Sequence, residues 1–582
     1  MADDITKTDS VSVGEAGNAA PSLNEAELWD WLQNAANEAE RVRRDEAQFD
    51  RFKEWLDIFS GKHWPENMPT FRPPIVANEL RQIILQEASE LSESHLRVYI
   101  MPNPQSGGRD KAAEKAFRAV WVRNQIDYQL MLASVWALVL GTGFIEVSWD
   151  PDAFYGYGDV VVESRDPRTV LPDPDAVDDK KWMFRITETI LDLQEVRRLF
   201  PVKGYLVKPE DKWSVKAPSG YGMLQRTASY LGPLYSGPMA SSSATGYKSA
   251  RVRVLDCILR SDEVETVVEE ELDAFGAPLR DDAGNPKLKQ ITKPKYPNGR
   301  RIVGANGVIL YDGPSPNPRP DDFGLLRIVL EPTLDRFWGL GFVQQTDQLQ
   351  LAANKLLSSL VENAIRLNNG VMIATGNTGL DLESFAGIPG QIININPGSH
   401  LTVSYPPPMP PDMVQAPWRM LDLQKRLLGY QDARAGIASG GNVSVDLTET
   451  EISQSQASTR LRSRLLYHQV QRLAEMIFSR MAHGYTTRRV IPATEGQEFS
   501  PVQWEPIDKP DEYAVYVDPA SFVVMSRTML KRVGTLLYKL RAIDRRSLLE
   551  SIGWPDWEET AKRLDKAEQL AALARIYGKK GA

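Results

Sequence analysis

The chain has 582 residues, 42 % hydrophobic and 25 % charged, the balance of a cored protein with a length prior of about four domains. Its net charge of −9 argues against a surface that wraps nucleic acid, and its one cysteine, Cys257, excludes an internal disulfide or a Cys-built zinc site and fits a reducing compartment. No apolar run reaches membrane-span length, since Leu130–Leu140 is short, contains Ser134 and ends at Gly141-Thr142-Gly143; residues 1–25 are acidic and polar, unlike a signal peptide.

In chain order, residues 1–24 are small and polar and read as disordered. Residues 25–60 read as one long helix carrying Trp29, Trp31, Phe49, Phe52 and Trp55. Pro73-Pro74 stops the next segment, and Asn78 stands where the N-cap of a helix over Leu80–Glu90 belongs. His95–Met101 is a strand by β-branched and aromatic content, followed by helices over Asp110–Asn124 and Asp127–Leu140. Gly141–Trp149 is a turn and buried strand, with Gly156–Glu163 as its hairpin partner. A Pro/Asp-rich turn region over 166–175 and a short helix over Ile190–Leu199 follow. Residues 202–249 turn to Gly, Ser, Tyr and Pro and read as a flexible insertion. Residues 250–331 are β-rich, with strands over Val252–Arg260, Val264–Leu272 and Arg300–Tyr311 joined by Gly/Asp turns. Beyond residue 485, strands are expected at 489–491, 502–504 and 513–517, then helices over 527–582 broken at Gly553-Trp554-Pro555.

The stretch from Gly339 to Tyr485 organises the chain. A helix over Phe342–Asn368 carries Leu349, Leu356, Leu360 and Leu367, with Ala353 and Ala364 between them, as one apolar stripe. Gln345, Gln348, Asn354, Ser358, Glu362 and Asn363 fall off that stripe. A Gly/Pro and β-branched segment over 370–411 leads into a second helix, about Met413–Ile437, on which Trp418, Leu421 and Leu428 should pack against the first. The run Tyr405–Pro411 is a rigid extended entry to it. A loop over 438–452 and a third helix, about Ser453–His483, close the unit. Helix, small β unit, helix, loop, helix suits a shaft with a β tip better than a globular enzyme.

Motifs for other chemistries are missing. There is no G-x-x-x-x-G-K-[ST] loop, no Gly-x-Ser-x-Gly elbow and no paired-His spacing among His63, His95, His400, His468 and His483. Gly156-Tyr157-Gly158 and Gly339-Leu340-Gly341 read as backbone turns, and Asp178-Asp179 and Asp321-Asp322 as solvated turns. No catalytic, cofactor or metal residue is therefore assigned.

Several strings occur in the order found in portal proteins of tailed bacteriophages: PPIVANELRQII at 73–84, VYIMP at 98–102, GTGFIEVSWDP at 141–151, GDVVVESRDPRTVLPDPDA at 158–176 and YPNGRRI at 296–302. The Trp338-Gly339 step into the helix, and the helix–β–helix–loop–helix unit, continue the order. Over residues 25–582 the chain resembles that family. The resemblance implies a multidomain α+β portal fold assembled as a ring, usually of twelve copies, at one capsid vertex. It implies a wing over 25–338 and 453–526, stem helices over 339–370 and 412–437, a clip over 371–411, a tunnel loop over 438–452 and a helical crown over 527–582. It implies a non-enzymatic channel for double-stranded DNA in packaging and ejection. Its partners would be terminase and then a tail adaptor at the clip, with major capsid and scaffold proteins at the wing, in the virion and in host cytoplasm during assembly, with no membrane. The insertion at 202–249 and the hairpins at 264–300 have no clear counterpart. A nucleic-acid-processing enzyme and another ring-forming virion adaptor are the alternatives.

Charge is distributed to match. The clip stretch has no Lys or Arg and holds Asp381, Glu383, Pro389 and Asn394 as candidate docking residues. The loop 438–452 carries Asp446, Glu449 and Glu451 beside a Gly440-Gly441 hinge; like charge on a channel wall repels phosphate and lets DNA slide. The third helix is basic instead, and Arg460, Arg464 and Arg472 on it are candidates for a subunit contact or for proximity to DNA. Residues 527–582 hold 13 basic and 7 acidic residues.

Overall fold

The computed structural model describes residues 24–65, 73–92, 98–102, 110–210, 250–270, 288–368, 371–377, 396–405, 407–430, 457–491, 494–495, 498–499, 501–507, 512–518, 534–540, 543–552 and 560–566. The architecture is α+β. The chain divides into two compact units, one of residues 1–43 and 168–325, the other of 44–167 and 326–582.

The first unit is a five-stranded antiparallel sheet covered on both faces. It contains α1 (Glu25–Ala47) as far as Arg43, β4 (Val170–Pro172), β5 (Phe184–Asp192), β6 (Arg251–Leu259), β9 (Arg300–Ala305) and β10 (Val308–Pro314), in strand order β10-β9-β6-β5-β4. Leu28, Leu32, Ala36 and Ala39 recur at helical spacing on α1 and meet Leu171, Ile186, Leu255, Cys257, Ile302 and Ile309 of one sheet face. Burial pushes the Cys257 thiol well up, so it sits there as a small hydrophobe. The other face carries Val252, Val254, Val303 and Ala305 under Leu193 and Val196 of α7 (Leu193–Leu199). Asp192 caps α7 through Gln194 N at 3.0 Å. The helix expected from Ile190 therefore starts three residues later, because Ile190–Asp192 extend β5 against Arg251–Arg253. A ribbon of β7 (Val264–Glu270) and β8 (Leu288–Pro294) belongs to the same unit.

A single helix over 25–60 does not form. Gln48 takes a left-handed φ of 51°, a 3-10 turn follows, and α2 (Phe52–Phe59) starts separately. The second unit is built around α5 (Ile126–Leu140), apolar along most of its length, packed on α3 (Glu79–Ser92), α4 (Lys111–Arg123) and a sheet of order β11-β2-β3. Those strands are β2 (Gly143–Asp150), β3 (Asp159–Arg165) and β11 (Leu325–Ile328), with the one-turn α6 (Ala153–Gly156) in the β2–β3 hairpin. The Asn78 side chain accepts from Arg81 N at 3.2 Å, as an N-cap should. β1 (Val98–Met101) pairs antiparallel with β18 (Ala514–Val517). Two small hairpins, β14 (Arg489–Ile491) with β17 (Val502–Trp504) and β15 (Thr494–Glu495) with β16 (Glu498–Phe499), follow the long helix α10 (Ala457–Gly484). Helix α11 (Arg545–Ile552) and helical turns at 534–539 and 560–566 represent the expected C-terminal helices. Among the described residues no helix is long and apolar enough to cross a membrane.

The Gly141-Thr142-Gly143 and Gly339-Leu340-Gly341 turns pack backbone against backbone. Gly339 N donates to Thr142 Oγ1 at 3.0 Å. A Cβ on Gly339 would lie 2.5 Å from Gly141 O and 2.8 Å from Glu331 O. Gly141 has φ 89°, and Gly156 has φ 85° with nothing within 4 Å of a Cβ. Gly156→Ala should therefore cost only the left-handed penalty of about 1–2 kcal/mol. Gly141→Ala should exceed it by about 1–3 kcal/mol, because a backbone carbonyl cannot move aside. Equal urea midpoints for the two variants would refute the close approach.

Candidate functional site

The second unit presents a helical arm. Helix α8 (Phe342–Asn368) runs out, β12 (Val371–Thr375) pairs antiparallel with β13 (His400–Ser404), and α9 (Pro411–Leu427) returns against α8. At about 1.5 Å per residue, α8 is some 40 Å long. Pro410 is extended at φ −57°, ψ 143°, and Pro411 opens α9, where a missing N–H costs nothing. Helix α9 then runs through Pro417. It ends at Leu427, not Ile437, because Gly429 takes φ 71° and Tyr430 N closes on Lys425 O at 2.8 Å.

The buried face of α8 is turned to one side of the stripe its leucines mark and shares only Ala353 with it. Leu349, Leu356, Leu360 and Leu367 are only half-buried, while Thr346, Asp347, Gln350, Asn354 and Ser358 are buried. These polar groups hold the backbone before α3. Ser358 Oγ accepts from Ile75 N at 3.1 Å, Asn354 Oδ1 from Ala77 N at 3.0 Å and Gln350 Oε1 from Leu80 N at 3.3 Å. Gln350 Nε2 donates to Ala77 O at 2.5 Å. Asp347 pairs with Arg51 and accepts from Trp55 Nε1 at 3.2 Å. The PPIVANEL string is thus read by side chains one helical turn apart. Because its Oδ1 is taken by Ala77, Asn354 turns its amide N–H toward His63 Nδ1, and His63 Nε2 donates to Ile58 O at 2.8 Å. That arrangement needs a neutral imidazole, and burial holds the His63 pKa below its ordinary value, against the pull of the Ile58 carbonyl.

Helix α10 is fixed behind the arm by an arginine the sequence reading passed over. Arg462, 5 % exposed, donates to Glu87 Oε1 at 3.0 Å and, through Nε, to Glu331 Oε1 at 3.0 Å. Its guanidinium lies 4.6 Å from the Phe342 ring centroid. Thr459 Oγ1 donates to the other Glu87 oxygen at 3.0 Å. At the far end, Tyr485 OH donates to Asp159 at 2.6 Å, and burial with that carboxylate pushes its phenol well up. Arg489 lies 3.9 Å over the Tyr485 ring and donates to Gly158 O at 2.9 Å. Of the arginines singled out, Arg460 and Arg464 are exposed, as are Leu461 and His468; Arg472, two turns beyond Arg464, is half-buried.

The solvent side of the arm mixes polar residues, such as Gln415, Arg419, Asp422 and Arg426 on α9, with apolar ones. Leu421 and Leu428 are buried as expected, but Trp418 is not: it is 56 % exposed, because the buried face of α9 is Pro417, Leu421, Gln424 and Leu428. Met413, Val414, Leu423 and Leu427 on α9, Ile365 on α8, Ile373 on β12 and Val403 on β13 are also exposed. The candidate channel residues Gly440, Gly441, Asp446, Glu449 and Glu451 lie outside the described residues, as do the candidate docking residues Asp381, Glu383, Pro389 and Asn394. Among the described residues no group of three or more His, Cys, Asp or Glu side chains could hold a metal ion. Asp322, of the acidic pair 321–322, is a turn residue: it is buried, and its Oδ1 accepts from Gly324 N at 2.8 Å. No protein-family model matches the chain, and no curated protein sequence matches it.

Two outcomes follow from these contacts. Arg462→Ala strands Glu87 as a buried charge and should cost about 3–5 kcal/mol, whereas exposed Arg464→Ala should stay within about 0.5 kcal/mol in the same denaturation assay. Because the folded pKa of His63 is lowered, its contribution is complete above the unfolded value near 6.5 and is lost as pH falls through the folded value. Wild type should therefore lose more stability than His63→Gln between neutral pH and the acid side of that window; parallel pH profiles would contradict the neutral imidazole.

Proposed function

We propose that this chain is the subunit of a ring-shaped phage portal, a non-enzymatic conduit for double-stranded DNA at one capsid vertex. The observation that carries the reading is the arm, two long helices joined through a small β hairpin, with Trp418, Leu423 and Leu427 turned to solvent. Exposed apolar side chains along one element are what a protein keeps for contact with another chain. A closed ring supplies such a contact to every copy without any surface being left over. The resemblance of the ordered strings to portal proteins suggests the ring's purpose, and the acidic residues of 438–452 suit a wall past which DNA slides. In this reading the hairpin end of the arm receives terminase and then a tail adaptor, and capsid and scaffold proteins meet the outer surface.

Single-particle electron microscopy of the purified chain tests it. A ring of about twelve copies with an axial hole is expected. Trp418→Glu should leave the folded monomer intact by circular dichroism and reduce the assembled fraction at least about tenfold, as loss of an apolar contact does. A chain that stays monomeric at every concentration, or shows divalent-metal-dependent nuclease activity, would overturn the reading.

A further inference from the structure

The β7–β8 ribbon has its charges sorted by strand. β7 reads VETVVEE and holds acidic residues only; β8 reads LKQITKP and holds basic residues only. The register sets Glu265 opposite Lys293 and Glu269 opposite Lys289, with Val267 opposite Ile291 between them. Its root is fixed: Lys295 N donates to Glu263 O at 2.8 Å, and Arg300 bridges Glu263 and Asp312. Beyond the root, Val264, Thr266, Thr292 and Lys293 are exposed. Among the described residues neither strand has a second partner. A two-stranded ribbon is marginal alone, and each open edge is a template for another strand.

We propose that this ribbon is a self-assembly contact, in which the open edge of β7 in one copy pairs with the open edge of β8 in the next. The occupant follows from charge and symmetry. Two β7 edges meeting about a two-fold axis would bring Glu against Glu, and two β8 edges Lys against Lys; both are disfavoured. Only β7 against β8 joins unlike charges, and that contact is heterologous, the kind that closes into a ring. Rotation about a ring axis keeps neighbouring ribbons in the same sense. β8 of one copy then runs antiparallel to β7 of the next, as it does to its own β7. The ribbons become one continuous antiparallel sheet of alternating acidic and basic strands. This shares with the portal reading the premise of a ring and adds which edges meet.

A swap of the two facing charge pairs tests it, with Glu265→Lys, Glu269→Lys, Lys289→Glu and Lys293→Glu in one chain. The swap keeps opposite charges inside each ribbon and between swapped copies, so the variant should assemble alone as wild type does. Against wild type every junction becomes acid on acid or base on base. When the two are co-expressed with different tags, mixed particles in native mass spectrometry should fall at least about tenfold below the binomial expectation. Wild type supplies an independent readout: β7 and β8 amides should gain at least about tenfold in hydrogen-exchange protection on assembly. Binomial mixing, or rings whose ribbon exchange is unchanged, would overturn this contact and leave the ring standing. A chain that never assembles would overturn both.

Discussion

The constraint on which the second unit depends is a length match between an extended chain and a helix. Residues 73–78 form no ladder, so the part-buried N–H groups of Ile75 and Ala77 must find acceptors elsewhere. Two residues of extended chain advance about 6.6–7 Å, and four residues of helix about 6 Å. Ile75 and Ala77 are two apart; Ser358 and Asn354, which receive their N–H groups, are four apart. The segment can therefore run along α8 with one acceptor per turn. Gln350 extends the match to Leu80, where α3 begins. Such a seam is unforgiving, because a shift of one residue would leave several buried groups unmade, each worth about 1–3 kcal/mol. It sets the register of α8 on the unit, and hence the direction in which the arm leaves it.

The seam also explains where the apolar surface goes. A helix normally turns its leucines inward and its amides outward. On α8 the inward face is occupied by amides and hydroxyls with specific backbone partners, so the leucine stripe lies at the flank, half-buried. Helix α9 uses Pro417, Leu421, Gln424 and Leu428 for its inward contacts and leaves Trp418, Leu423 and Leu427 outside. The result is a base joined by polar contacts and an arm that exposes several apolar side chains among polar ones. In a monomer that distribution is costly; in an assembly it separates what fixes the fold from what joins the copies.

Local signals were legible, and those that depend on a distant partner were not. Asn78 before α3 and the β2–β3 hairpin obey short-range rules and appear where the residues ask for them, whereas Pro411, read as the end of an extended entry, is the first residue of α9. The end of α9 was available in Gly429, whose φ of 71° suits glycine. Gln48 carries no breaking signal of its own, and only the fold sets its left-handed φ. The stripe Asp347, Gln350, Asn354, Ser358 has helical period as clear as that of the leucines. Period alone does not say which of two stripes is inside, and polarity favours the wrong one when the partner is bare backbone. Arg462 was hidden for a similar reason: its partners Glu87 and Glu331 lie 375 and 131 residues away.

The two exposed features differ in the kind of selectivity they can provide. Exposed apolar side chains bury area with little regard to direction, and by themselves they do not separate a head-to-tail contact from a two-fold one. The ribbon has less apolar surface to offer, but its sorted charges make the two-fold arrangements repulsive. Strength and direction can therefore be assigned to different parts of one chain. Salt should affect them unequally, since exposed ion pairs are screened and apolar burial is not. Assembly driven by the arm alone would persist as ionic strength rises but lose its closure, giving open or mispaired particles in place of rings.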